Sequence, residues 1–411
     1  MSSCRLCGCA ELASVVDLGA SPPCESFLTE AQLHEPEWTA PLHLRVCTAC
    51  WLAQIPPLID PGETFTDYAY FSSYSESWVG HAREFVDLAT ERLALDGSSF
   101  IVEVASNDGY LLRHVVARGI RCLGIEPAVN VGEAARAAGI PTLTAFLAAE
   151  TGARVRHDHG PADLVVANNV YAHVPDIAGF TCGLRELVAD DGWVSLEVQY
   201  LLTLLEGNQF DTIYHEHFQY YTVDSARRAL ALGDLSLVDV EVLPTHGGSI
   251  RLWARPSAVA GHPTRRVLDL LDREKAAGLQ ELSGYVGFAE RVTRVRLDLL
   301  DFLLRAASDG RTVLGYGAPG KANTLLNYCG VRPDLLPYTV DRNPHKQGRF
   351  TPGARIPVQH PDRIATDRPD YVLVLPWNLR DELTAQLGYI GRWGGQLVFP
   401  VPRLEIVEVP S

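Results

Sequence analysis

The run Phe100-Ile101-Val102-Glu103-Val104-Ala105-Ser106-Asn107-Asp108-Gly109-Tyr110-Leu111-Leu112 decides the fold. Phe100 to Val104 is a short apolar, β-branched segment of the kind that forms a buried strand in a parallel sheet. Ala105 to Gly109 is small, polar and turn-forming, and Tyr110 to Ala117 places apolar residues at helical spacing. Strand, tight turn and helix in that order gather backbone N–H groups at a helix N-terminus, which suits a carboxylate or phosphate. Small side chains in the turn let a ligand approach the main chain closely.

The next strand, Arg121 to Ile125, ends in Glu126-Pro127. An acid at the tip of the second strand, roughly twenty residues past the turn, is placed to accept both hydroxyls of a ribose. Ala105 and Asn107 stand where glycines favour a dinucleotide pyrophosphate, so a ligand with a ribose and no pyrophosphate fits better. S-adenosylmethionine answers that description; a structural turn with no ligand is the alternative. Ser106, Asn107, Asp108, Gly109, Glu126 and Pro127 form the expected cofactor wall. Beyond it come a helix over Val131–Ala138 closed by Gly139, a strand at Thr142-Leu143, another over Ala162–Ala167 and a fifth over Gly192–Val198. The expectation is an α/β fold, a doubly wound parallel sheet with its ligand over the carboxyl ends of the strands. Asn168 and Asn169 lie at such an end, where they meet the amino-acid end of the cofactor.

A chain of 411 residues with 47% hydrophobic residues can bury two or three cores, so more than one domain is expected. The net charge of −15 argues against a nucleic-acid groove, which needs a basic face. No run of eighteen apolar residues occurs and the N-terminus lacks a basic, apolar leader, so the expectation is a soluble, cytoplasmic protein without a membrane partner. Nine cysteines include the pairs Cys4-x-x-Cys7 and Cys47-x-x-Cys50. Two such turns offer four thiolates to one tetrahedral zinc, which stabilises a segment too loop-rich for a core of its own. A redox pair is the alternative, but no thioredoxin-like βαβ unit surrounds either pair. A closed four-thiolate site is structural.

Three further stretches carry chemistry. Tyr68 to Trp78, with Tyr70, Phe71 and Tyr74, interleaves aromatics and hydroxyls, suiting either an interdomain core or a wall against adenine or a sugar. Tyr214-His215-Glu216-His217-Phe218 crowds titratable groups among aromatics, and an imidazole beside a carboxylate serves as a base near neutral pH. His215 and His217 share a face if extended, but no third ligand for a metal is evident. Thr245-His246-Gly247-Gly248-Ser249-Ile250-Arg251 either lends groups to the same pocket or makes a hairpin turn.

A long helical stretch from Arg265 to Ala307 precedes a second α/β unit. Its strand Thr312–Tyr316 runs into Gly315-Tyr316-Gly317-Ala318-Pro319-Gly320-Lys321, and its next strand ends in Asp341-Arg342. This is a dinucleotide fingerprint in its own right, so an NAD-dependent oxidoreductase or epimerase is the competing hypothesis. An anion site for a diphosphate is the other reading of this turn.

Taken in order, Cys4-x-x-Cys7-Gly8, Cys47-x-x-Cys50, Tyr70–Ser75, Ala105–Tyr110, Tyr214–Phe218 and Gly315–Lys321 resemble, over essentially the whole chain, the nucleotide-sugar C-methyltransferases that branch deoxysugars in antibiotic pathways. The resemblance implies S-adenosylmethionine as methyl donor and a dTDP-linked 4-keto-6-deoxysugar as acceptor, methylated at C3 ahead of C5. It implies a zinc-binding domain over residues 1–65, a methyltransferase domain with the catalytic loop over 66–258, and a Rossmann-like substrate-binding domain over 259–411. By carry-over, His217 is the base, Glu216 its partner near the sugar and Tyr214 a hydroxyl at the reacting centre, with His215 a further donor. Tyr70, Phe71, Tyr74, His246, Gly317, Lys321, Asn323 and Arg342 are expected to hold the acceptor. The oligomeric state stays open, a monomer being compatible.

Overall fold

The computed structural model describes residues 3–60, 62 and 71–409. They fall into two compact units, one of residues 1–12, 47–201 and 216–284, the other of residues 13–46, 202–215 and 285–411. Among the described residues no helix is long and apolar enough to cross a membrane.

Near the N-terminus lie strands β1 (Leu12–Ser21), β2 (Ala40–Cys47) and β3 (Ala53–Gln54), followed by helix α1 (Glu76–Leu93). Helix α1 starts where the Ser75 hydroxyl accepts the Trp78 N–H, a side-chain cap for a donor the helix leaves free.

The first unit is built on seven strands. The apolar runs give β4 (Phe100–Val104), β5 (Arg121–Ile125), β6 (Thr142–Leu143), β7 (Ala162–Asn168) and β8 (Val188–Gln199), paired in parallel. A two-residue strand β9 (Gln219–Tyr220) pairs antiparallel with β3 instead. The strands β10 (Leu235–Leu243) and β11 (Ser249–Pro256) form an antiparallel hairpin that completes the large sheet against β8. The order is β10-β11-β8-β7-β4-β5-β6. The chain leaves β4 first to one side and then to the other, so the crevice at the carboxyl ends of β4 and β7 is the switch point where α/β ligands sit. Phe85 and Val86 of α1 pack with Ile101, Leu112, Val115 and Trp253 in the core beneath it.

The second unit contains β12 (Val313–Tyr316), β13 (Thr339–Val340), β14 (Val358–Gln359), β15 (Tyr371–Val374), β16 (Gln396–Phe399) and β17 (Glu405–Glu408), in the order β14-β13-β12-β15-β16-β17. All pairs are parallel except β16–β17. Its switch point lies between β12 and β15. The expected α/β class holds in both units, and the long helical stretch resolves into Arg265–Ala276 and Phe288–Ser308.

Candidate active site and metal centre

The two Cys-x-x-Cys turns are near copies of one another. Gly8 N donates to Cys4 O at 2.9 Å and Trp51 N to Cys47 O at 3.0 Å, and Gly8 and Trp51 both take left-handed φ, 76° and 61°. Cys4 Sγ lies 3.4 Å from Cys50 Sγ, Cys7 Sγ lies 3.6 Å from Cys47 Sγ, and all four sulfurs are within 4.8 Å of one another. Sulfurs about 2.3 Å from a shared zinc stand roughly 3.8 Å apart, so the donor set fits one tetrahedral ion with no position left for a substrate. Between Cys4 and Leu6, the half-buried Arg5 donates Nη1 to Ile55 O at 2.8 Å, Nε to Gln219 Oε1 at 3.3 Å and Nη2 to Phe218 O.

At the end of β4 the main chain turns through left-handed φ at Ala105 (55°), Asn107 (50°) and Gly109 (78°). The backbone of a three-glycine turn is thus present although a glycine fills just one place. Gly109 is required there, since a Cβ would lie 2.7 Å from Ile140 Cγ1. Asn107 Oδ1 accepts Ser72 N at 2.8 Å and Asp108 Oδ2 accepts Ser73 N at 3.2 Å, which brings the aromatic segment of Phe71 and Tyr74 onto the turn. Those two rings stack 5.5 Å apart. Tyr70 lies outside the described residues.

Glu126, at the tip of β5, accepts Asn107 N at 2.8 Å and Ala128 N at 2.9 Å, while burial pushes its carboxyl upward. Glu103 is raised further still, first by burial and then by Glu126 and Asp108. Glu103 Oε2, Ser106 Oγ, Asp108 Oδ1, Asn168 Oδ1 and Asn169 Nδ2 are buried with no hydrogen-bond partner among the described residues. Buried polar atoms are rarely left so. A ligand carrying cationic, carboxylate and hydroxyl groups fits this crowd of acids and orphaned amides, as S-adenosylmethionine does.

Beside β7, the turn Tyr171–His173 cradles the histidine-rich segment. Phe218 N donates to Ala172 O at 2.8 Å, and Gln219 Nε2 donates to Tyr171 O at 2.7 Å and Val174 O at 2.8 Å. His173 bonds to the Glu216 carbonyl, and its ring meets that of His217 edge-on at 4.6 Å. Burial pulls His173 down to about 4, so it is neutral at physiological pH. Glu216 is buried and His217 half-buried. Tyr214 and His215 belong to the other unit, where His215 donates Nε2–H to Ala40 O at 3.0 Å and burial holds its pKa below the usual value.

The hairpin turn Thr245–Gly247 also serves this side of the sheet. Buried Glu197, at the end of β8, accepts from Thr245 Oγ1 at 2.8 Å, His81 Nε2 at 2.8 Å and Arg251 Nη2 at 3.1 Å. These bonds hold its carboxyl below the usual value against burial. Trp78 stacks on His81 at 5.0 Å and on Tyr110 at 6.1 Å, and exposed His246 lies 4.9 Å from it. His81 and Glu197 escaped the sequence reading, although an acid in the register of Asn168 at a strand's carboxyl end was a usable signal.

In the second unit Gly317 has φ 85°, and a Cβ there would meet Pro376 Cδ at 2.5 Å. Asp341 repeats the role of Glu126, accepting Ala318 N at 2.7 Å and Asn343 N at 2.8 Å. Lys321 donates to Asn378 Oδ1 at 2.8 Å, Asn323 donates Nδ2 to Cys24 O at 2.5 Å, and Arg342 is exposed.

The chain matches three family models: “Putative zinc binding domain” over residues 4–65, “Methyltransferase domain” over 78–240 and “C-methyltransferase C-terminal domain” over 244–402. It is 36% identical over 412 residues to the C-methyltransferase NovU of Streptomyces niveus, covering 100% of this chain and 98% of that protein. Among solved structures it is similar to magnesium protoporphyrin IX methyltransferase of Synechocystis PCC 6803 with bound SAM, at 18% identity and TM-score 0.33 over 44% of this chain and 81% of that one. A SAM-dependent methyltransferase of Anabaena variabilis matches at 14% identity and TM-score 0.38 over 49% of this chain and 98% of that one. The chain belongs to the S-adenosylmethionine-dependent C-methyltransferases that carry a zinc-binding domain at the N-terminus.

Proposed function

We propose that the methyl acceptor is a dTDP-linked 4-keto-6-deoxysugar, methylated at C3 or C5, the carbons that flank the ketone, in an antibiotic deoxysugar pathway. The reading rests on the clamping of Glu216–Gln219 against the Tyr171–Val174 turn, beside the polar end of β7. A carbon next to a ketone becomes a nucleophile by losing a proton, and His217 is the base for that step with Glu216 as its partner. The enolate oxygen then needs a donor. His215 gives its Nε2–H to Ala40, which favours Tyr214 for that role. Bound S-adenosylmethionine supplies the methyl group. Holding carbon and sulfonium in line is the chain's main contribution, worth at most roughly 7–11 kcal/mol.

In this reading Ser106–Gly109, Glu126, Pro127, Asn168 and Asn169 line the donor site. Tyr70, Phe71, Tyr74, His246, Gly317, Lys321, Asn323 and Arg342 hold the acceptor. Residues 1–65, 66–258 and 259–411 divide the work into metal, donor and acceptor binding. The test is incubation with labelled S-adenosylmethionine and a panel of dTDP-4-ketosugars in deuterated water. His217→Asn is expected to lower methyl transfer and deuterium wash-in by roughly 10²–10⁴-fold while donor binding persists. Unchanged turnover in that variant, or no acceptor in the panel methylated, overturns the reading.

A further inference from the structure

Lys321 and Asp211 meet at the second unit's switch point, each held on Trp377. Trp377 and Asn378 follow β15, and Lys321 is the second residue of the ten-residue helix Gly320–Cys329 that follows β12. Lys321 Nζ donates to Asn378 Oδ1 at 2.8 Å and stands 4.7 Å from the centre of the Trp377 ring. The edge of that indole meets the acid, since Trp377 Nε1 donates to Asp211 Oδ2 at 2.6 Å. Asp211 is fully buried, and its Oδ1 has no hydrogen-bond partner among the described residues. On the same helix Thr324 Oγ1 donates to Ile213 O at 3.1 Å, so the turn Phe210–Thr212 is fastened to it just ahead of Tyr214.

We propose that Asp211 is a positioning residue for the acceptor: through Trp377 it holds Lys321 across the crevice between the ends of β12 and β15, where the ammonium takes a phosphate oxygen of a nucleoside diphosphate. This rests on the nucleotide-sugar reading above. A lysine paired with an acid for structure alone closes onto it, whereas Lys321 bonds to the neutral Asn378 and keeps Asp211 as a nearby counter-charge. One of its three N–H groups is spent on Asn378.

The counter-charge matters because the site is enclosed. Burial pulls Lys321 down to about 8, with Asp211 opposing the fall. Asp211 in turn is pushed up to about 6 by burial, with Lys321 and Trp377 pulling it back. Around the pair stand Asn378, Trp377 and the thiol of Cys329, which burial pushes up, with Arg296 opposing and Asp211 adding to the rise. Without Asp211 nothing opposes that fall, so Lys321 sheds its proton at a lower pH and no longer attracts phosphate above it.

The test is calorimetric binding of dTDP to the full chain at about pH 6 and about pH 7.8. Asp211→Asn keeps an acceptor for the Trp377 N–H and removes the charge. Its affinity is expected to stay within roughly threefold of the parent at about pH 6 and to fall by roughly tenfold or more at about pH 7.8. Adding Lys321→Arg, which stays charged without help, is expected to restore binding at the higher pH. An equal loss at both pH values, or no rescue by arginine, overturns the proposal. So does a Lys321→Gln variant that binds dTDP as tightly as the parent, which leaves the nucleotide-sugar reading standing. A parent protein that binds no dTDP at either pH overturns both.

Discussion

Arg5, next to the zinc ligand Cys4, donates a guanidinium N–H to the carbonyl of Phe218, the residue after His217. The metal turn therefore reaches the histidine-rich segment directly, although its four sulfurs hold no substrate.

Removing the zinc is accordingly expected to cost activity without competing with either substrate. Arg5→Ala tests the link with the metal in place. It leaves the Ile55 carbonyl without its donor and the Phe218 carbonyl with the Ile55 N–H alone, at a cost of about 1–3 kcal/mol for a group stranded away from water. Steady-state kinetics should show kcat lowered roughly 10–100-fold with the affinity for S-adenosylmethionine nearly unchanged. A normal kcat in Arg5→Ala with zinc retained refutes the link.

Asn168 has a buried Oδ1 with no hydrogen-bond partner among the described residues. Truncation to Ala therefore removes no intramolecular bond at that atom. The expected signature is a weaker complex with S-adenosylmethionine, by roughly tenfold or about 1.4 kcal/mol, at an almost unchanged melting temperature. Calorimetry beside a thermal melt separates the two quantities. A variant that melts much earlier, or that binds the donor normally, contradicts this role.

His173 links acidity to stability. Burial lowers its pKa from 6.5 to about 4, so the folded chain binds fewer protons than the unfolded chain between those values. Stability should then fall as the pH drops from about 6.5 towards about 4 and level off below, a loss on the order of 1–3 kcal/mol. Melting temperatures across this range should decline less steeply in His173→Asn than in the parent. Parallel curves for the two proteins rule the histidine out as the source.

Much of this was legible in the amino-acid sequence, for physical reasons that differ by element. Strands such as Phe100–Val104 and Ala162–Asn168 announce themselves because a parallel strand buried on both faces is apolar over most of its length. The cysteine pairs are legible because a tetrahedral ion fixes the spacing of its ligands. The left-handed backbone at Ala105 was not, since alanine does not advertise a positive φ as glycine or asparagine does. The His81–Glu197 and Trp377–Asp211 bonds join residues 116 and 166 positions apart, beyond any local pattern. The turn Gly315–Gly320 left two readings open, a nicotinamide site and a diphosphate site. It reads as a dinucleotide fingerprint, yet Gly317 is demanded by the proline ring of Pro376, and the chain is a methyltransferase.

Glu126 and Asp341 each lend one oxygen to an N–H of their own turn and the other to an N–H of the turn after the neighbouring strand. Each crevice thus keeps its shape while empty, and an incoming molecule need not spend binding energy freezing a floppy loop. With the donor and acceptor sites proposed above, two receptacles made by the same device would let the substrates associate in either order, so initial-rate patterns should show a random sequential mechanism rather than one in which the first arrival builds the berth for the second.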